Sequence, residues 1–302
     1  AADVKLQLAA SVFSHAREGI MITDTDGNIV EVNETFTRIT GYTRQEALGC
    51  NNRMLRSGRH SAEFYLAIAH ALSEKDHWYG EIWNQRKNGE IYAEMATIST
   101  VRDPLGRAVN HVSLFTDITL MKEHQNQLEH IAHYDLLTGL PNRVLLADRL
   151  QQAIVQSQRR QRPIGVVFLD LDGFKSVNDR YGHVTGDSLL ITLGQRMKSA
   201  LREGDTLARI GGDEFVAVLV DLEHSRDCEP LLERMLKAAS APVREGDVAL
   251  QVTASMGVTV YPQDGAEPEL LIRHADQAMY QAKQTGKNRY HLFDVVHDAA
   301  IK

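Results

Sequence analysis

The chain has 302 residues, of which 43% are hydrophobic, and a formal net charge of −7 at pH 7. This length and apolar content are enough for two domains with separate buried cores. The negative charge argues against nucleic acid or an anionic membrane as the main partner, and two cysteines far apart indicate neither a disulfide framework nor a zinc site. No apolar run approaches the roughly 20 residues that span a bilayer. The chain is therefore expected to be cytoplasmic, and a membrane anchor elsewhere in a longer protein is left open.

The first unit, up to residue 119, has the pattern of short strands and helices. Two apolar runs flank Asp26-Gly27, a dipeptide typical of a tight hairpin turn. Helical periodicity follows between Asn33 and Gly41. Later turn sequences separate three more predicted strands, near residues 78–85, 92–101 and 111–116.

This unit resembles a PAS domain in the segments ITDTDGNIVEVNETFTRITGY and WNQRKNGEIY and in the closing Asp117-Ile118-Thr119. The resemblance implies a sensor domain over residues 1–119, built as an antiparallel sheet with flanking helices. Asn52 stands where light-sensing PAS domains carry a flavin-reactive cysteine, so no covalent photoadduct is expected although Cys50 is nearby. An empty domain that serves dimerisation is the leading expectation. The alternatives are a non-covalent flavin, suggested by Trp78 and Asn84, and a haem on His60, His70 or His77.

A helical linker is predicted over residues 120–134. Its stripe recurs at alternating three- and four-residue spacing, the pattern of a two-heptad coiled coil, at Met121, His124, Leu128 and Ile131. The same pattern suits an amphipathic helix that packs on its own domain. Because the helix joins two domains, we favour a contact between two copies of the chain, and predict a homodimer through this helix and the PAS domain.

The second domain is predicted over residues 135–296. It opens with the turn-rich segment Asp135-Leu-Leu-Thr-Gly-Leu-Pro-Asn-Arg143, and a long helix follows to about Arg160. The apolar strand at residues 164–169 then ends in Asp170-Leu171-Asp172. Helices and strands alternate from there on, which predicts an α/β domain of the α+β kind on a mostly antiparallel sheet.

The most informative segment of this domain is Gly211-Gly212-Asp213-Glu214-Phe215, which lies between two apolar runs. Since both glycines accept positive φ without steric cost, the segment predicts a β-hairpin with Asp213 and Glu214 just after its tip. Adjacent strand residues point to opposite faces, so the two carboxylates are expected to have different roles.

Asp170 follows a buried strand, and Asp213 follows the hairpin tip. If these strands are neighbours, the two carboxylates converge at one edge of the sheet. Carboxylate oxygens suit Mg²⁺, which binds through one or two of them together with substrate phosphates. The alternative for Asp170 is a strand-end residue that caps the following turn.

The domain resembles GGDEF domains, the diguanylate cyclases, nearly from end to end. The resemblance rests on the Gly-Gly-Asp-Glu-Phe loop, the opening DLLTGLPNR, the block from Asp170 to Asp187 and the segment ADQAMYQAKQTGKN. Val177 is a conservative departure from the family pattern. The resemblance implies a nucleotidyl-cyclase-like sheet flanked by helices. It also implies that Asp170, the carbonyl of Leu171 and Asp213 hold Mg²⁺ or Mn²⁺.

By the same resemblance, Asn178 and Asp187 read the guanine of GTP. A carboxylate can accept from the guanine N1–H and amine while an amide satisfies another edge, which disfavours adenine. Lys175 is expected to neutralise phosphate charge, and His183 to shape the nucleotide pocket unless it is only a turn histidine. Lys283 and Lys287 are expected on one helical face, where they contact the triphosphate or only favour the helix dipole.

Arg202-Glu-Gly-Asp205 precedes Gly211 with five residues between. At this spacing the family carries an inhibitory site for its product, cyclic di-GMP. Arginine can bind guanine O6 and N7 with two hydrogen bonds, and aspartate can accept from the opposite edge. The alternative is an ordinary ion pair three residues apart at a helix end.

The implied function is a Mg²⁺-dependent diguanylate cyclase that joins two GTP molecules into cyclic di-GMP with release of two pyrophosphates. It would act as a homodimer under PAS control, with Asp213 or Glu214 assisting deprotonation of the attacking hydroxyl. The alternative is a catalytically silent GTP-binding module that controls an EAL phosphodiesterase domain. The closing Tyr290-His-Leu-Phe-Asp294 and an expected helical tail resemble the junction that leads into such domains.

Overall fold

The computed structural model describes residues 2–246 and 248–294. The chain divides between Gln127 and Leu128 into two units. The helical tail expected after residue 294, and with it the expected domain end at residue 296, lies outside the described residues. Within residues 2–246 and 248–294, no helix is both long and apolar enough to cross a bilayer.

The first unit is a five-stranded antiparallel sheet in the order β2-β1-β5-β4-β3 with helices before and between its strands. Its core lies between the sheet and helices, around Phe36, Ile68 and Phe115. The elements are α1 (Ala2–His15), β1 (Gly19–Asp24), β2 (Ile29–Val32), α2 (Glu34–Thr40), α3 (Arg44–Ala47), α4 (Ala62–Lys75), β3 (His77–Gln85), β4 (Ile91–Arg102) and β5 (Ala108–Asp117). The antiparallel sheet predicted for this unit is confirmed.

Local signals account for the boundaries of α2. The side chain of Asn33 accepts a hydrogen bond from the Phe36 N–H, which caps the start of the helix. Gly41, with φ of 79°, ends it in the left-handed conformation that glycine adopts without strain. The helix predicted between Asn33 and Gly41 is therefore present.

The linker helix α5 (Thr119–His133) contains the boundary between the two units. None of its residues is buried, and the apolar residues of the predicted stripe are exposed, Met121 at 56%, Leu128 at 67% and Ile131 at 52%. Among the described residues, the apolar face of this helix is therefore left uncovered.

The second unit is a five-stranded sheet in the order β12-β11-β6-β8-β7, antiparallel except where β12 runs parallel to β11. A separate two-stranded ribbon pairs β9 with β10. The elements are α6 (Arg143–Arg160), β6 (Ile164–Asp172), α7 (Phe174–Tyr181), α8 (His183–Ala200), β7 (Thr206–Gly211), β8 (Glu214–Leu219), α9 (Glu229–Ser240), β9 (Val243–Glu245), β10 (Val248–Leu250), β11 (Thr253–Tyr261), α10 (Pro268–Gln284) and β12 (Arg289–Leu292). The mostly antiparallel sheet is confirmed.

Helices cover both faces of this sheet. Alternate residues of β6 therefore belong to two different cores, since Val167 and Leu169 pack toward α8 and α9 whereas Val166 and Phe168 pack toward α6 and α10. The strand reads as one continuous apolar run because both of its faces are buried. Asp170 and Asp172, at its end, are its first partly exposed side chains.

Candidate functional site

The hairpin of β7 and β8 brings Asp213 beside the end of β6. β6 and β8 are antiparallel neighbours, with Asp170 opposite Glu214, and the Leu171 N–H donates to the Asp213 carbonyl at 3.2 Å. The two acidic positions therefore converge, as the sequence predicts for neighbouring strands. One detail differs: the loop consists of Gly212 and Asp213, so Asp213 lies within the turn and not after it.

Asp170 forms an ion pair with a lysine side chain. The Lys283 ammonium lies 2.7 Å from Asp170 Oδ1, and the Asp170 side chain is only 13% exposed. Burial raises the pKa of Asp170, and the charge of Asp213 raises it further, against the opposing effect of Lys283. The site thus concentrates negative charge at one point and attracts a cation to it.

Glu214, the first residue of β8, shares this negative environment. Partial burial raises its pKa, and the charges of Asp170, Asp276 and Asp213 raise it further. Asp276 lies on α10, where the sequence analysis assigned it no role. A carboxyl group with a raised pKa is better suited to accept a proton near neutral pH than an unperturbed one.

The acidic groups fit a magnesium site of the open kind. Among the described residues, no group of three or more His, Cys, Asp or Glu side chains could hold a metal ion by itself. Asp170 and Asp213 offer two carboxylates, and Mg²⁺ commonly binds through that number together with waters and substrate phosphates. The lysine that lies against Asp170 shows that a cation is accommodated at this position.

The predicted guanine-reading pair flanks the junction of α7 and α8. The Asn178 Oδ1 atom is buried and has no hydrogen-bond partner in the described part of the chain. It faces Gly186, where a Cβ atom would come within 1.8 Å of it, so a larger residue at position 186 would displace the Asn178 side chain. Asp187 is exposed on α8. An unsatisfied buried acceptor is costly in a folded protein and marks a position that a ligand donor can satisfy.

Of the remaining predicted nucleotide contacts, Lys175, His183 and Lys287 are exposed, whereas Lys283 is partly buried against Asp170. Lys175 lies near the start of α7, and His183 is the first residue of α8. The expectation that Lys283 and Lys287 share a helical face is wrong, because α10 ends at Gln284. Lys287 follows in the left-handed conformation, with φ of 58°, and belongs to the connection to β12.

The segment Arg202-Glu-Gly-Asp205 forms a turn between α8 and β7. The Asp205 carboxylate accepts from the backbone N–H groups of Arg202 and Val220, each at 3.0 Å. The helix-end ion pair considered as an alternative is thus replaced by a bond to the Arg202 backbone, and the Arg202 residue is exposed. Asp205 holds the turn in shape and leaves the arginine side chain projecting from it.

Sequence reasoning missed Arg209, which connects the hairpin turn to the opening segment of the domain. Its Nη1 lies 2.9 Å from Asp135 Oδ1, and its Nε and Nη2 donate to the Gly212 carbonyl at 2.9 and 2.8 Å. Both side chains are largely buried, at 11% and 20% exposure. Asp135 also accepts from Thr138. The only sequence signal was an arginine three residues before the second glycine, which by itself carries no specific meaning.

The first unit contains a cavity of about 550 Å³ between the sheet and α4. It is of the size that small-molecule sites commonly have. One of the residues that line it is Glu94 on β4, which is only 5% exposed. Its carboxyl group accepts a hydrogen bond from the Tyr92 hydroxyl at 3.0 Å. Nearby, the buried Tyr65 hydroxyl has no hydrogen-bond partner among the described residues. This unit therefore has an interior of a size that can hold a ligand, and the empty domain that we expected first stays a prediction.

The lining of this cavity separates the ligand alternatives. His60, His70 and His77, the histidines considered for a haem, do not line it, whereas His111 does. His60 instead accepts from the Trp83 N–H at 2.9 Å. Of the two residues that suggested a flavin, Asn84 lines the cavity and Trp78 packs against Phe64.

Glu94 makes the stability of the first unit depend on pH. Burial raises its pKa from 4.5 to about 7. The folded state then keeps a proton that the unfolded state loses, so stability falls as pH rises from about 5 to 7 and stays low above that. We expect Glu94→Gln to raise the free energy of unfolding at pH 8.5 by about 2 kcal/mol, with a smaller gain at pH 5.

Tryptophan fluorescence during denaturant unfolding of the whole chain measures this, because both tryptophans, Trp78 and Trp83, lie in β3. The exposed Glu34→Gln is the matched control and should show no pH-dependent gain. Equal gains for Glu94→Gln at both pH values would contradict the role of the buried carboxyl group.

Comparison with known proteins agrees with the division of the chain into two domains. The profile described as "Diguanylate cyclase, GGDEF domain" matches residues 132–289, and a PAS domain profile matches residues 17–120. A solved structure of the GGDEF domain of TpbB from Pseudomonas aeruginosa is 35% identical with a TM-score of 0.54, and covers 56% of this chain and 98% of that one.

Two longer curated relatives are also similar to this chain. The bifunctional diguanylate cyclase/cyclic di-GMP phosphodiesterase MucR of Pseudomonas aeruginosa is 44% identical over 58% of this chain and 26% of its own length. The cyclic di-GMP phosphodiesterase PdeR of Escherichia coli is 32% identical over 95% of this chain and 43% of its own length. The chain thus spans less than half the length of either relative.

Proposed function

Because this chain belongs to the GGDEF family of diguanylate cyclases, with a PAS domain before the GGDEF domain, we propose that it condenses two GTP molecules into cyclic di-GMP. The observation that carries this proposal is the convergence of Asp170 and Asp213 at one sheet edge beside Lys283. Two acids with an adjacent lysine are suited to bind a divalent cation together with phosphate groups.

In this proposal, Asp170, the Leu171 carbonyl and Asp213 hold the cation, Mg²⁺ or Mn²⁺. When bound, the cation stabilises phosphate charge and lowers the pKa of the attacking hydroxyl. Lys283 then leaves Asp170 and binds a phosphate oxygen of GTP instead. Lys175 and Lys287 add positive charge around the triphosphate.

The guanine base is assigned to Asn178 and Asp187, with His183 at the edge of the pocket. The buried, unpartnered Asn178 Oδ1 supports this assignment, because a guanine N–H group can satisfy it. A base without a donor at that position would leave the atom unsatisfied and would bind more weakly.

In the reaction, the 3′-oxygen of one GTP attacks the α-phosphorus of the other, and the bond to pyrophosphate breaks in line. The hydroxyl proton leaves as the new bond forms. Glu214 is our candidate acceptor, because burial and the neighbouring acids raise its pKa. In a second step of the same kind, the 3′-oxygen of the other nucleotide attacks the remaining α-phosphorus. This closes the ring and releases the second pyrophosphate.

Each GGDEF domain would hold one GTP, so the reaction requires two copies of the chain. The exposed apolar stripe of α5, including Leu128 and Ile131, supports a dimer contact through the linker helix. A ligand bound in the cavity of the PAS domain would then regulate the enzyme through that dimer contact. Holding two GTP molecules in register accounts for much of the expected rate.

Incubation of the purified chain with GTP and Mg²⁺, followed by chromatographic separation of the nucleotides, tests the proposal. For every two GTP molecules consumed, one cyclic di-GMP and two pyrophosphates are the expected products. GTP that binds without any turnover, across GTP and protein concentrations that favour dimers, would contradict a cyclase.

A second candidate function is a GTP-binding module that controls a phosphodiesterase in a longer protein. The similarity to PdeR over 95% of this chain favours it, since that relative is named a phosphodiesterase. The chain has every residue that is proposed to contact the metal, the guanine or the phosphates, which favours the cyclase. The turnover assay distinguishes the two.

We further propose that cyclic di-GMP inhibits the enzyme at Arg202 and Asp205. Arg202→Ala should raise the product concentration needed for half inhibition by about 10-fold or more, because one bidentate arginine–guanine contact is lost. The initial rate should stay within about twofold, since the turn is held by backbone bonds to Asp205 that the substitution keeps.

Initial rates with increasing added cyclic di-GMP measure this effect. Glu203→Ala removes an exposed neighbour from the same turn and serves as the control. An Arg202→Ala variant inhibited as strongly as the parent would exclude the site.

A further inference from the structure

Asp172, the last residue of β6, forms hydrogen bonds to two segments that are far from it in the sequence, β11 and the residues before β12. Its carboxylate accepts from the Thr253 hydroxyl at 2.8 Å and from the Ser255 hydroxyl at 2.9 Å. It also accepts from the backbone N–H of Asn288 at 3.3 Å. These partners lie on β11 and at the approach to β12, so one side chain links the ends of three adjacent strands.

The Asn288 bond matters because the connection from α10 to β12 is otherwise unusual. Lys287 and Asn288 both have left-handed backbones, with φ of 58° and 46°, although neither is glycine. Such conformations persist where the surroundings hold them. The Lys287 N–H donates to the Ala282 carbonyl at 3.0 Å on one side, and Asp172 holds the next N–H on the other.

Asp170 and Asp172 therefore act on the same segment. As residues two apart on a strand they point to the same face, and they contact Lys283 and Asn288 respectively. The two contacted residues, Lys283 and Asn288, lie on either side of Lys287 in the sequence. Lys283 must leave Asp170 to reach a phosphate, whereas the Asp172 bond to the backbone can remain throughout.

We propose that Asp172 is a positioning residue that keeps Lys287 in register with Asp170, so that the lysine meets the triphosphate of GTP. This role rests on the proposed GTP chemistry. In this role Asp172 acts through its hydrogen bonds to Thr253, Ser255 and Asn288 and not through a contact with substrate or metal. Its effect passes through the backbone that carries the lysine.

Four variants of the whole chain test this role: Asp172→Ala, Asp172→Asn, Lys287→Ala, and Asp172→Ala combined with Lys287→Ala. We expect Asp172→Ala and Lys287→Ala each to raise the KM and the Kd for GTP by about 10-fold, the loss of one charge-assisted phosphate contact. The combined variant should bind GTP no more weakly than Lys287→Ala alone, because both changes remove the same contact.

Asp172→Asn separates positioning from a general need for negative charge. The amide oxygen can take the place of Asp172 Oδ2 and still accept from the Asn288 N–H and the Thr253 hydroxyl. The Ser255 hydroxyl, which faces the other position, can rotate to accept from the amide N–H group. We expect this variant to keep GTP affinity within about threefold of the parent. Amide hydrogen exchange at Asn288, measured without nucleotide or metal, should be faster in Asp172→Ala and close to the parent in Asp172→Asn.

Parent-like GTP affinity in Asp172→Ala would overturn the role, as would effects of the two single changes that multiply in the combined variant. Unchanged exchange at Asn288 in Asp172→Ala would overturn it as well. A parent chain that binds no GTP would overturn the proposed function and, with it, this role. That failure is seen in the parent and is thus distinct from a failure seen only among the variants.

Discussion

Replacing Asp213 by alanine is expected to lower the rate of cyclic di-GMP formation by at least about 100-fold, since it removes one of the two carboxylates available to a divalent cation. The remaining acid, Asp170, would stay paired with Lys283, 2.7 Å away. The backbone bond from the Leu171 N–H to the residue 213 carbonyl does not require the side chain. The hairpin should therefore keep its shape while the chemistry fails.

Chromatography of the products at saturating GTP and Mg²⁺ measures this loss. Asp148→Ala is the matched control, because it removes an exposed aspartate from α6 of the same domain. GTP binding should persist in Asp213→Ala through Asn178 and Asp187. A rate within about tenfold of the parent would mean that Asp213 is not a required ligand.

Replacing Arg209 by alanine is expected to have the second largest effect, on stability and activity together. It leaves Asp135 without its ion pair and the Gly212 carbonyl without two donors. Removing one partner of a buried pair is costly, and we expect a loss of about 2 kcal/mol, less than for a fully buried pair because Asp135 is 20% exposed. The freed turn should misplace Asp213 and reduce the rate by roughly 10- to 100-fold.

Arg160→Ala is a close control, because Arg160 and Asp221 pair at 2.8 Å in the same domain but are 59% and 46% exposed. This variant should lose less than about 1 kcal/mol and keep full activity. Circular dichroism during denaturant unfolding gives the stability, and the turnover assay gives the rate. If both arginine variants behave alike, the connection from Asp135 to the hairpin does not position the turn.

Much of the fold was predictable because its signals are local. Asp26-Gly27 marks a hairpin by its own backbone preference, and Asn33 and Gly41 begin and end a helix within a few residues. The buried run before Asp170 identifies a strand covered on both faces. From such signals the antiparallel sheets of both units followed, together with the approach of Asp170 to Asp213.

The error at Lys287 has a physical cause. Residues 283 and 287 are four apart, which places them on one face only while a helix continues. Gly286, with φ of 126°, follows the end of α10, and the left-handed backbone at Lys287 turns the chain toward β12. The glycine was visible in the sequence, but the strand that the chain turns to join was not.

By itself, the sequence determined the turn at Asp26-Gly27, the helix between Asn33 and Gly41, the hairpin with its two acids and the family resemblance, because each depends on residues close together in the chain. Only the tertiary structure decided that Lys283 lies on Asp170, that Arg209 joins Asp135 to the hairpin turn, and that Asp172 holds Asn288. It also decided that the first unit encloses a cavity beside Glu94. These contacts join residues 74 to 116 positions apart. Such pairings are set by how sheets and helices pack, and no local pattern encodes them.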